Sequence, residues 1–311
     1  MISSPTAISM MTGVFHFMAI SFALILAGGR VGLPTTAVNQ ERRQAPRCRY
    51  ALLFLLAAPL GVLLDRSAAA QGADTRFAVL VFSKTTAFRH DSILQGIAAI
   101  EELGAEHRFA VESTEDAARF SEANLARYKA VVFLNTTGDI LDADQKAAFE
   151  RYIHSGGGFV GIHSASDTEY RWPWYGRLVG AWFASHPQIQ RATIHLEDPT
   201  HPSTKGLPAL WERTDEWYNF RSNPRGAVKV LATLDEATYS GGAMGADHPI
   251  AWCNEVDGGR SWYTAMGHTK ESYAEPLFRL HLLGGIESAA GATRAARVDQ
   301  QRMVSGRTAG T

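Results

Sequence analysis

Hydrophobic and polar positions along the chain fall into segments of different period. Residues 76–82 (RFAVLVF) are a continuous apolar run, as in a strand covered on both faces. A polar loop over 83–91 follows. Ile93, Ile97, Ile100 and Leu103 then recur at helical spacing, which predicts an amphipathic helix over 92–103. Next come a predicted strand at 108–112, a short helix at 121–128 and a buried strand at 129–134. Asp142 stands where it would cap a helix running to Ile153, with Gly156-Gly157-Gly158 ending it before a strand at 159–162. Strands alternating with helices predict an α/β fold, a mostly parallel sheet with helices on both faces. After about residue 190 the pattern changes to shorter strands, at 192–196, 228–234, 250–254 and 261–265, with loops at 221–226 and 241–246 and a closing helix at 278–285. No repeat or linker interrupts residues 74–288, which read as one domain. Residues 289–311, rich in Ala, Gly, Arg and Gln and without periodicity, are expected to be a disordered tail.

The first 70 residues are patterned differently. Residues 1–29 carry no Lys, Arg, Asp or Glu, and 8–29 are mostly apolar. Arg42, Arg43, Arg47 and Arg49 then precede the apolar run 50–64, and Ser67-Ala68-Ala69-Ala70-Gln71 follows it. Basic flank, short apolar run and small-residue ending describe a secretory signal peptide over about 42–70, cleaved after Ala70. The run is shorter than the roughly 20 residues a membrane span needs. Residues 1–37 lie outside that signal: they are either an extra transmembrane helix at about 8–26 or the product of a start codon placed too early. The expected location is secreted or periplasmic, and membrane-tethered if the leader is retained. Cleavage would remove Cys48 and leave Cys253, so the mature chain is expected to have no intramolecular disulfide. Cys253, between Trp252 and Asn254 in an apolar stretch, is expected to be a buried small hydrophobe.

Composition adds one exclusion. The chain is 46% hydrophobic and 20% charged, as a globular protein is. Its 30 basic and 31 acidic residues lack the basic excess of a nucleic-acid binder.

In parallel sheets the site lies beyond the carboxyl ends of the strands, which directs attention to the loops 83–91, 135–139 and 163–170. His90, His163, His186 and His268 fall in or beside predicted loops at strand ends and are expected to converge. Asp139, Asp167 and Glu216, with its neighbour Asp215, hold comparable places. All seven Trp lie between residues 172 and 262, in company with Tyr170, Tyr175 and Tyr218. Flat aromatic faces suit sugar rings, and Trp172-Pro173-Trp174-Tyr175 is the segment hardest to bury entirely. There is no G-x-G-x-x-G after the first strand and no P-loop. Gly161-Ile162-His163-Ser164-Ala165 has the strand–turn–helix context of a nucleophile elbow, but His occupies the apex and Ser164 stands beside it, so a Ser-His-Asp hydrolase fits poorly.

A resemblance to a known family becomes specific at this point. F-R-H-D (88–91), V-V-F-L-N-T-T-G-D (131–139), G-G-G-F-V-G-I-H-S-A-S-D-T (156–168), W-P-W-Y (172–175), V-G-A-W-F (179–183) and S-H-P (185–187) resemble the ThuA-like (trehalose utilisation) family. So do D-E-W-Y-N-F (215–220), D-H-P-I-A-W (247–252) and G-R-S-W-Y-T-A-M-G-H (259–268). The resemblance covers about residues 76–288. It implies a flavodoxin-like fold similar to class I glutamine amidotransferases. Those enzymes carry a nucleophilic Cys where this chain has His163, so amidotransferase activity is not expected. The resemblance makes His268 a counterpart of the amidotransferase triad His. It also implies an association with sugar oxidoreductases and with oxidised (3-keto) disaccharides.

The expected function is an exported protein that binds or processes a sugar or keto-sugar by acid/base proton transfer. His163 and His268 are the acid/base candidates, with Glu216 orienting one of them. Arg89, His90, Asn135, Asp139, Ser164, Asp167, Trp172, Trp174 and Tyr218 are the candidate substrate contacts. No cofactor is required by this reading. The alternatives are a non-catalytic carbohydrate-binding or partner protein, and a divalent-metal enzyme. In the latter His90, His163, His186 and His268 would be the ligands, although their spacings match no metal motif.

Overall fold

The computed structural model describes residues 75–292. The expected leader, its cleavage point, and residues 293–311 of the expected tail lie outside the described residues. In chain order the elements are β1 (Ala78–Phe82), α1 (Ile93–His107), β2 (Ala110–Thr114), α2 (Glu122–Leu125), β3 (Ala130–Leu134), α3 (Ala143–His154), β4 (Gly158–Ile162) and α4 (Pro173–Val179). They continue with β5 (Phe183–Ser185), β6 (Gln190–Leu196), β7 (Leu210–Asp215), β8 (Asn219–Phe220), β9 (Lys229–Asp235), β10 (Pro249–Val256), β11 (Gly259–Thr264) and α5 (Pro276–Ala289).

Nine strands form one sheet in the order β2-β1-β3-β4-β11-β10-β9-β6-β7. The first five of that order are mutually parallel, and this is the strand order of flavodoxin-like sheets. The remaining pairings are antiparallel. β3 and β4 are buried at every residue, as their uninterrupted apolar sequences require of central strands. Side-chain alternation assigns the helices to the two faces. In β11, Ser261 and Tyr263 turn toward α4, where Ser261 Oγ donates to the Leu178 carbonyl. Trp262 turns to the other side, its ring 4.9 Å from that of His281 on α5. Helix α3 starts on a capping box, Asp142 and Gln145 each satisfying the other's backbone, as Asp142 led one to expect. Phe133 is the middle of the core under α3 and α4. Its ring lies 5.4–5.9 Å from those of Phe82, Phe120, Phe149, Phe159 and Tyr175.

The antiparallel half is the part that the sequence marked only as a change of pattern, and it controls the site. In β7 burial alternates, so Trp211, Arg213 and Asp215 point inward. Trp211 Nε1 donates to Glu275 Oε1 (3.0 Å) and Arg213 Nε to Glu275 Oε2 (2.9 Å), directly before α5. The outermost strand is therefore drawn onto the N-terminus of the closing helix. This returns residue 216 to the carboxyl ends of the parallel strands.

Candidate functional site

The site begins with a strained turn. His163, the first residue after β4, has φ +50°, a conformation that costs a non-glycine residue about 1–3 kcal/mol. The turn is held by buried tyrosines. The Tyr263 hydroxyl lies 2.8 Å from the His163 carbonyl and 2.9 Å from Ser166 Oγ, and the Tyr175 hydroxyl donates to the Ala165 carbonyl at 2.7 Å. His163 Nδ1 lies 2.7 Å from the Ala265 carbonyl. A carbonyl only accepts, so Nδ1 carries a proton, and in the neutral ring Nε2 presents a lone pair to the site.

Three other side chains meet that lone pair. His268 follows β11 through Gly267, whose φ of +109°, and an added Cβ 2.9 Å from the Tyr273 hydroxyl, exclude larger residues from this turn. His268 Nδ1 is 3.2 Å from His163 Nε2 and 3.0 Å from Glu216 Oε2, which is itself 3.5 Å from His163 Nε2. His90, from the loop after β1, packs edge-on against both rings, with centroids 4.9 Å from His163 and 5.0 Å from His268. One donor atom from each of His90, His163, Glu216 and His268 lies within 4.8 Å of the others. A tetrahedral first-row ion with ligands at about 2.1 Å would place its donors about 3.4 Å apart, so small side-chain rotations complete such a cage.

The same contacts set the protonation of the cluster, and an ion bound there would displace the proton that His268 favours. Burial, with the neighbouring His163 and His268, pushes His90 down to about 2, so its ring is neutral at any ordinary pH. Burial alone would raise Glu216, but hydrogen bonds and charge from His163 and His268 hold it below the usual carboxylate range. Burial opposes the charge on His268, and Glu216 outweighs it, so His268 stands above the ordinary imidazole value. Three imidazoles and one ionised carboxylate are a donor set for zinc or another first-row ion rather than for calcium or magnesium.

The other sequence candidates divide. His186 reaches the site, but from outside. Its half-exposed ring places Nδ1 2.9 Å from Glu216 Oε1, the oxygen turned away from His268, and the fourth donor of the cluster is Glu216. Ser164 Oγ lies 3.3 Å from His90 Nδ1, and the Tyr218 ring covers His163 at 4.0 Å. Asp167 is half-buried within electrostatic reach of His163 and His186; burial raises its carboxyl, and the Tyr170 hydroxyl donates to it at 2.5 Å. Asn135 is fully buried, and its Nδ2 donates to Ser92 Oγ and the Gly267 carbonyl, so it braces the His268 turn rather than facing a ligand. Four of the expected contacts are not brought to the cluster. Arg89 turns outward to Glu115 (2.6 Å), and Asp139 pairs with Arg171 on the surface. Trp172 and Trp174 are 8% exposed, stack on each other and pack tilted and edge-on against Phe149, their indole N–H groups bound to Glu150 and Asp257. They fill the interface between α4 and α3.

The family model for trehalose utilisation, ThuA, matches residues 78–289. The chain belongs to the ThuA family. A solved ThuA-like protein from Bacteroides uniformis is 25% identical, superposes with a TM-score of 0.60, and matches 69% of this chain and 91% of its own length. Another, from Parabacteroides merdae, is 22% identical, with a TM-score of 0.59 and matches over 69% and 90%. A cytoplasmic protein from Salmonella typhimurium shares the fold at 12% identity and a TM-score of 0.51, over 68% of this chain and 99% of that one. No curated protein sequence matches.

ThuA membership fixes the glutamine amidotransferase-like fold, and the fold explains the strained turn: in this chain His163 occupies the elbow. Cys253 lies within β10, paired with Trp262 and Lys229, and burial pushes its thiol up. Sequence reasoning passed over two residues that bear on the site. Phe88, inside the quoted F-R-H-D run, stands 64% exposed with its ring 4.8 Å from that of His90. Asp215 was noted only as the neighbour of Glu216. Among the described residues no helix is long and apolar enough to cross a membrane.

Proposed function

We propose that this ThuA-family protein is an exported, divalent-metal-dependent enzyme that processes a sugar or keto-sugar derivative by proton transfer. The carrying observation is the convergence of His90, His163, Glu216 and His268 within 4.8 Å. A metal ion held there would polarise a hydroxyl or carbonyl oxygen and acidify the adjacent proton. The chain's own groups supply the rest. His163 is held in one tautomer by the Ala265 carbonyl. His186, half in solvent and bonded to Glu216, carries protons between the site and the medium. Asp167, raised by burial and held by Tyr170, is a second proton acceptor beside the same elbow. Phe88 offers an exposed apolar face at the mouth for one side of a pyranose ring. The sugar class rests on the family's link to trehalose utilisation. A keto-sugar substrate would be supplied by a sugar oxidoreductase, the partner that the family association implies. Export rests on the signal-like sequence before Gln71. Glutamine hydrolysis is not expected, because the elbow lacks a thiolate.

The test is proton exchange at the carbons beside the carbonyl of a methyl 3-keto-glucoside in D2O, followed by NMR, together with metal analysis of the same protein. Expected are near-stoichiometric zinc, manganese or a related ion, and exchange or turnover that stops on chelation and in His268→Ala. A protein that purifies without metal and takes none up overturns the proposal. Sugar binding without turnover, unchanged in His163→Ala, would instead identify a carbohydrate-binding protein.

A further inference from the structure

Glu216 has a long way to come. It follows β7, the last strand of the sheet order, whereas His163 and His268 follow β4 and β11 in its middle. Its position depends on how the end of β7 is fastened, and the fastening is one carboxylate. Asp215 is fully buried. Its Oδ1 accepts from the backbone N–H groups of Glu216 (3.0 Å) and His268 (3.1 Å). Its Oδ2 accepts from the Gly267 N–H (2.8 Å), from Arg213 Nη1 (2.7 Å) and from Ser272 Oγ (3.2 Å). One side chain thus holds the backbone of two cluster residues that follow separate strands. Arg213 neutralises it from within β7 and extends the tie, donating from Nη2 to Ser272 Oγ (2.8 Å) and from Nε to Glu275 (2.9 Å). The Arg213 guanidinium lies over the Phe278 ring at 4.7 Å, which confines it to this orientation.

We propose that Asp215 is the positioning residue of the metal centre. It locks Glu216 and His268 into one frame, so that latching the edge strand and completing the cage are the same event. Asp215 touches neither metal nor substrate and acts through the two residues it holds. The inference rests on the metal reading above. Without the latch, His90, His163 and His268 would still approach one another from the parallel half, while Glu216 would be free to leave with β7.

Cobalt(II) is the probe, because its ligand-field spectrum reports coordination and no substrate is needed. The full chain is titrated with Co2+ as wild type, Asp215→Asn, Glu216→Ala and the double variant. Asn at 215 keeps the shape but turns an N–H2 toward donors. Expected is an affinity loss of about 10–100-fold in Asp215→Asn, the range for residues that support metal ligands, with altered ligand-field bands. The double variant should bind Co2+ more tightly than the product of the two single losses predicts, because part of the effect of Asp215 runs through Glu216. Single losses that simply multiply would show that Asp215 acts on the fold at large, which overturns the proposal. So would an Asp215→Asn affinity within twofold of wild type. Wild-type protein that binds no Co2+ overturns the metal reading itself, a distinguishable failure. If Asp215→Asn does not fold, Arg213→Lys replaces it in the cycle, since it loosens the tie to Ser272 and Glu275 and keeps the charge. Wild-type affinity in that variant overturns the proposal equally.

Discussion

Phe88 and Trp174 illustrate how differently two aromatic residues of one domain can be used. Phe88 leaves 64% of its surface in solvent against His90, so its ring contributes little to folding. Phe88→Ala should leave the unfolding free energy within about 0.5 kcal/mol of wild type. It should weaken binding of the keto-glucoside by about 0.5–1.5 kcal/mol, roughly 2- to 13-fold, as read by isothermal titration. An unchanged Kd would remove Phe88 from the site. Trp174 is 8% exposed and packed on Phe149. Trp174→Ala should cost about 3–5 kcal/mol in a urea melt and leave Co2+ affinity unchanged. The sequence showed an aromatic-rich segment at 170–182 but not which way its rings would turn. A seven-residue helix containing Pro173 and Gly176 gives too little periodicity to tell a buried face from an open one. The three cluster histidines were legible for a different reason. Each follows a strand of the parallel half, and the rule that sites form at carboxyl ends needs only the strand assignments.

Those assignments held where a strand is covered on both faces, because a continuous apolar run leaves no other interpretation of its length. β1, β3 and β4 are of this kind. β7 was not recognised, and the cause is physical: the inward positions of an otherwise alternating strand are Trp211, Arg213 and Asp215. Two of these three are charges, buried because they pair with each other and with Glu275, Ser272 and backbone N–H groups, so hydrophobic alternation cannot reveal them. α4 and the two-stranded pair β5–β8 are too short to leave a pattern. The elbow, by contrast, was visible as strand, turn and helix, although the means of holding its strain were not. Tyr263, on β11, places its hydroxyl 2.8 Å from the His163 carbonyl. Tyr263→Phe should lower stability by about 1–3 kcal/mol, since it strips a buried carbonyl and Ser166 of a partner. It should also weaken Co2+ binding, because the His163 ring rides on that turn. A stability loss without any change in metal affinity would mean that the elbow holds its shape without Tyr263.

At the scale of the whole molecule, side chains of the edge strand β7 and the segment around Ser203 pack against the closing helix α5 and bury polar groups there. His281, on α5, is fully buried. Its Nδ1 lies 2.8 Å from the Ser203 carbonyl and its Nε2 3.2 Å from Thr264 Oγ1, and its ring lies 5.9 Å from that of Trp211 on β7. Burial lowers its pKa from 6.5 to about 3. The sign of the consequence follows from proton counting. Below pH 6.5 the unfolded chain takes up a proton on this residue that the native protein refuses, so the unfolded state binds more protons and stability falls as pH falls. The loss begins near 6.5 and continues toward about 3, with a slope of up to about 1.4 kcal/mol per pH unit from this one residue. His201, lowered by burial to about 4, adds to it over a narrower window. The measurement is a set of urea melts between pH 7 and pH 4.5 on wild type and His281→Gln, whose amide can still donate to the Ser203 carbonyl. Wild type should lose stability more steeply than the variant, the two curves separating progressively below pH 6.5. Parallel curves would mean that His281 takes up its proton in the native state despite its burial.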